Sequence, residues 1–63
     1  MKIEDLSFEK EFCWSHDKTR TLVYLGRDFS NGVWYQFALK TKPNKVWCEV
    51  RESDLRMLEV RNP

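Results

Sequence analysis

Residues 20–40 read RTLVYLGRDFSNGVWYQFALK, and this stretch decides the fold class. Two runs rich in β-branched and aromatic residues, Thr21 to Leu25 and Val33 to Leu39, flank Asn31-Gly32. Asn-Gly between such runs is the strongest short-range hairpin signal, because both central residues of a type I′ turn need φ > 0. The reading predicts a second strand from Arg20 to Arg27 and a third from Val33 to about Lys40. Closing the turn on Ser30 and Val33 pairs Phe29 with Trp34 and Leu25 with Ala38. Gly26 then opposes Phe37, which points to a bulge or a sharp bend there.

Working toward the C-terminus, Lys42-Pro43-Asn44-Lys45 reads as a tight turn, with Pro and Asn at its two central positions. A fourth strand, Val46 to Arg51, follows. That turn sets Leu39 against Cys48 and Phe37 against Val50 on one face. On the other face it sets Lys40 against Trp47, Ala38 against Glu49 and Gln36 against Arg51. The alternation stays in phase through the turn, as a hairpin requires. Glu52-Ser53-Asp54-Leu55 breaks the pattern and predicts a 3₁₀ turn. Arg56 to Val60 makes a short last strand with Leu58 and Val60 on one side, and Arg61-Asn62-Pro63 frays.

Toward the N-terminus, Leu6, Phe8, Phe12 and Trp14 alternate with Ser7, Glu9, Glu11 and Cys13, which predicts a half-buried first strand. A helix over residues 3–13 competes, since Ile3, Leu6, Lys10 and Cys13 fall at helical spacing; it would scatter Phe8, Phe12 and Trp14 around its surface. Ser15 to Thr19 is turn-like. The expectation is an all-β domain spanning residues 1–63: five short antiparallel strands in a small barrel, with one 3₁₀ turn before the last strand. Its shape resembles the SH3-like barrel superfamily. The stretch Tyr24 to Val60 carries the resemblance, above all Val46-Trp47-Cys48-Glu49-Val50, Ser53-Asp54-Leu55 and Leu58. The Ala-Leu-Tyr-Asp-Tyr run and acidic loop of signalling SH3 domains are absent, so a proline-rich ligand does not follow. The chain resembles the small single-domain barrels of bacteria and their phages.

Sixty-three residues make one domain, and a chain this short buries only ~60% of its unfolded surface. The composition, 41% hydrophobic and 33% charged, is globular rather than disordered. No apolar run is long enough to span a membrane, and the N-terminal residues carry no apolar export segment. With two cysteines, Cys13 and Cys48, the expected compartment is the cytoplasm and the expected state two free thiols acting as small hydrophobes; a disulfide requires neighbouring strands. Net charge is +1, but it is unevenly spread. Residues 1–17 hold five acidic side chains against Lys2 and Lys10, whereas residues 18–45 hold six basic ones against Asp28 alone. A basic middle between acidic ends is either a nucleic-acid face or internal complementarity between strands.

Nothing in the chain forms an enzyme signature. Cys13-Trp14-Ser15-His16 has a Cys-x-x-His spacing, but a structural zinc site wants four ligands in paired knuckles, and no metal or other cofactor is expected. Ser15, His16 and Asp17 are adjacent in sequence, which is not how triads assemble. The informative feature is the aromatic load, nine rings including Trp14, Trp34 and Trp47, which exceeds what so small an interior holds. Trp34 and Trp47 are expected on the outer face, where Trp and Arg commonly dominate interfaces. The predicted function is non-catalytic capture of a protein partner, or self-association as a homodimer. The predicted binding face is Phe29, Trp34 and Trp47 with Arg27, Lys40 and Arg51. The alternatives are single-stranded nucleic acid on the same basic and aromatic groups, or cover of both indoles by the N-terminal segment.

Overall fold

The computed structural model describes residues 1–62. After a 3₁₀ turn at Ile3–Asp5, the chain forms β1 (Glu11–Trp14), β2 (Asp17–Asp28), β3 (Trp34–Leu39) and β4 (Cys48–Val50). A second 3₁₀ turn, Glu52–Met57, leads into β5 (Leu58–Asn62). The strands form one antiparallel sheet in the order β4-β3-β2-β1-β5. Four strands make a meander, and the second 3₁₀ turn carries the chain back so that β5 pairs with the free side of β1. β4 and β5 are the two edges and are not paired with each other.

The β2–β3 hairpin forms around Asn31-Gly32, but its loop is wider than a two-residue turn. Asp28 pairs with Trp34, Arg27 with Tyr35 and Gly26 with Gln36, so residues 29–33 form the connection. Gly32 alone has positive φ there, at 82°; Asn31 does not, which excludes the type I′ geometry. Asp28 favours the longer loop: its carboxylate accepts from the Ser30 backbone N–H (3.2 Å) and hydroxyl (3.0 Å). The predicted irregularity at Gly26 is present. The register shifts between Tyr24 and Gly26, and Gly26 takes φ 122°, open to glycine and strained for other residues. Beyond the bulge Tyr24 pairs with Phe37 and Leu22 with Leu39.

The 42–45 turn also forms, closed by the Lys45 N–H on the Lys42 carbonyl at 3.3 Å. Yet β4 pairs two residues away from the simplest register: Tyr35 faces Val50, Gln36 faces Glu49 and Phe37 faces Cys48. A two-residue shift leaves every side chain on its predicted face, because the strand repeat is two. It moves Arg51 from Gln36 to the neighbourhood of Trp34.

The largest departure is at the N-terminus. The strand expected from Leu6 begins only at Glu11; before it come the 3₁₀ turn and a turn at Phe8-Glu9. Local polar contacts hold this segment out of the sheet. The Lys2 N–H donates to the Asp5 carboxylate (2.9 Å) and the Glu9 N–H to the Ser7 hydroxyl (3.1 Å). The Met1 ammonium donates to the carbonyls of Leu55 (2.8 Å) and Leu58 (3.2 Å), tying the segment to the second 3₁₀ turn. At the other end Arg61 and Asn62 continue β5, with Asn62 paired to Glu11, rather than fraying. Pro63 lies outside the described residues.

The core takes one face of the sheet. Phe12, Leu22, Tyr35, Phe37 and Val50 come from the first four strands, Leu58 from β5, and Leu55 from the 3₁₀ turn that packs with them. Phe12 and Phe37 meet edge-on at 5.7 Å. Met1, Ile3 and Leu6 pack against this cluster, so the N-terminal segment covers core rather than extending the sheet. Cys13 is buried, Cys48 half-buried, and both thiols are free.

Candidate functional site

Each aromatic ring of the predicted face carries a cation, but the set is divided. At the start of β3, Trp34 is half-buried and the Arg51 guanidinium lies 4.5 Å from its ring centroid. The register places them together, since Arg51 follows Val50, the partner of Tyr35. The Trp34 indole N–H donates to the Asn31 carbonyl, which fixes the ring against the 29–33 loop. Phe29 stands on that loop, 66% exposed, with the Arg27 guanidinium 5.9 Å from its ring. Phe29, Trp34, Arg27 and Arg51 thus cluster around one end of the β2–β3 hairpin.

Trp47 and Lys40 lie toward the other end of β3. Lys40 is about six residues along from Trp34, roughly 20 Å at 3.3 Å per residue, and Trp47, which the register sets opposite Ala38, is about four residues or roughly 13 Å along. The Trp47 N–H donates to the Phe37 carbonyl at 2.8 Å, and its ring, 42% exposed, has the Arg20 guanidinium at 5.6 Å. Lys40 is not beside Trp47 as expected. It reaches back over the sheet to Glu11, at 2.6 Å. This ion pair, with Lys18–Glu59 (2.9 Å) and Arg20–Asp17 (3.1 Å), matches part of the basic middle to carboxylates within the fold.

Two residues beside the first cluster escaped the sequence reading. Phe8, 72% exposed, stacks on Tyr24 at 5.3 Å, and Tyr24 in turn meets the buried Phe37 at 5.5 Å. A row of rings therefore runs from the core out to solvent. Burial raises the Tyr24 phenol above its ordinary value, and the nearby Arg27 guanidinium opposes the shift. Reading residues 6–14 as continuous strand hid Phe8; the turn chemistry of Ser7 was the signal available for it.

The two cysteines and His16 sit in different surroundings. Cys13 is buried outside the core cluster, its thiol 3.8 Å from the Glu59 carboxylate, and His16 lies exposed beside Trp14. Burial pushes the Cys48 thiol up to about 11. Among the described residues no three His, Cys, Asp or Glu side chains converge as metal ligands. Among them, too, no helix is long and apolar enough to cross a membrane. No protein-family model, curated protein or solved structure matches the chain.

Proposed function

We propose that this chain is a small, non-catalytic protein-interaction module of SH3-like barrel architecture, acting in the cytoplasm. The sheet order, with β5 returning to β1 after a 3₁₀ turn, supports the architecture. The observation that carries the function is the Trp34–Arg51 stack beside the solvent-facing Phe29–Arg27 pair. Arg stacked on an aromatic ring presents a flat, weakly hydrated surface with free donors, a combination that dominates binding energy at interfaces. Burial of Phe29 and the exposed edge of Trp34 supplies the affinity, and Arg27 and Arg51 set orientation. Tyr24, beside Arg27, and Phe8 stacked on it adjoin the Phe29–Arg27 pair.

The test compares the wild-type chain with Trp34→Ala and Arg51→Ala by affinity capture, with sedimentation velocity covering self-association. Both variants are expected to stay folded and to lose the partner, or the second copy, together. A Trp34→Ala chain that unfolds makes Trp34 a core residue and refutes the reading. So does a folded variant that retains the partner.

A further inference from the structure

The far end of β3 carries a second surface, independent of the Trp34 cluster. Leu39, Lys42, Lys45, Val46 and Trp47 line a groove of about 400 Å³. Its apolar members are Leu39, which packs against the core, and Val46 and Trp47, both more than two-fifths exposed. Its charged members are Lys42 and Lys45. The other cations at this end are engaged, Lys40 by Glu11 and Arg20 by Asp17. Lys42 and Lys45 form no ion pair among the described residues. The turn bond between them keeps their Cα atoms within about 7 Å, so two unneutralised ammonium groups rise from one rim. Arg20 backs the indole, 5.6 Å from its ring centroid.

We infer that this groove binds single-stranded nucleic acid, with a base stacked on Trp47 and backbone phosphates held by Lys42 and Lys45. An exposed indole with cations beside it is the stacking platform that single strands use, and stacking accepts any base. No carboxylate lines the groove to repel phosphate. An acidic polypeptide fits less well. Carboxylate recognition gains most from the planar fork of Arg, and the arginine here is already held by Asp17. Lysine is a compact charge suited to phosphate. With two phosphate contacts the binding is weak and salt-dependent, log K falling against log salt with a slope of about −1.4.

Fluorescence anisotropy of a labelled oligo-dT strand tests this with the full chain. The expected affinity drops roughly 25-fold from about 20 to 200 mM salt. The double variant Lys42→Gln, Lys45→Gln flattens that dependence and weakens binding at low salt. Trp47→Leu weakens binding by about tenfold with the slope unchanged. Should Trp47→Leu lose its circular-dichroism melt, the lysine pair, at two exposed turn positions, decides alone. Absence of binding at low salt, or binding indifferent to the lysine substitutions, overturns the inference. Polyglutamate of equal length competing as well as oligo-dT overturns it in favour of an acidic polypeptide. Trp34→Ala leaves oligonucleotide affinity unchanged, so this result and the fate of the Trp34 cluster are read separately.

Discussion

Cys48 illustrates what partial burial does to a reactive group. Withdrawal from water raises its thiol from 9.0 to about 11, so at pH 8 its thiolate fraction is roughly a hundredfold below that of an unperturbed thiol. Alkylation by iodoacetamide, followed by mass, is expected to be slower than for free cysteine by an order of magnitude or more; an equal rate refutes the assignment. Asp17 shifts in the opposite direction. The Thr19 side-chain and backbone hydrogen bonds, with Arg20 and His16 nearby, hold its carboxyl below the ordinary 3.8. The Lys18 ammonium likewise holds Glu59 below 4.5. A depressed folded value makes the contribution fully present above the unfolded value and lost as pH falls through the folded one. The melting temperature is therefore expected to be level from neutral pH to about pH 5 and to fall below about pH 4. Asp17→Asn makes that acid decline shallower, and thermal melts across pH check it.

Gly26→Ala places a Cβ no closer than 4.0 Å to the Phe8 ring, which is ordinary contact, so its cost comes from the φ of 122°. Urea denaturation is expected to register a loss of about 1–3 kcal/mol, against about 1 kcal/mol for Gly32→Ala at φ 82°. Equal small losses would mean that the bulge tolerates a side chain. Both turns and the irregularity at Gly26 were legible because turn chemistry is local: Asn-Gly, Pro-Asn and an unpaired glycine announce themselves within a few residues. Register was not legible. Asp28 draws Ser30 into a wider β2–β3 loop, and β4 separately pairs two residues away from the simplest register, which sets Arg51 on Trp34, while Lys40 reaches Glu11. The face of each β3 and β4 side chain survived because the shift in that pair is even. The N-terminal strand was misjudged because Leu6 and Phe12 can reach one core by two routes. A 3₁₀ turn and a pair of polar contacts sufficed to choose the route without pairing. That Phe29, Trp34, Trp47, Arg27, Lys40 and Arg51 are exposed or half-exposed was legible residue by residue. Their division between the two ends of β3 was not.

For the whole molecule, the small interior sets the margin. A core of this size supplies roughly 3–5 kcal/mol, and removing a buried Phe ring costs about the same. Phe37 touches both Phe12 and Tyr24 and is fully buried, so Phe37→Ala is expected to be unfolded at 25 °C. Circular dichroism and one-dimensional proton spectra check this; a cooperative melt in the variant would show a core more forgiving than its size implies. The unpaired flanks of β4 and β5 bear on behaviour at high concentration. Each presents main-chain donors and acceptors on which a further strand could template. One flank is only three residues long, and the other interrupts its apolar residues with Glu59 and Arg61. These charges act as gatekeepers against fibrous growth, whatever their part in holding the monomer together, and replacing both with valine trades solubility for end-to-end polymerisation.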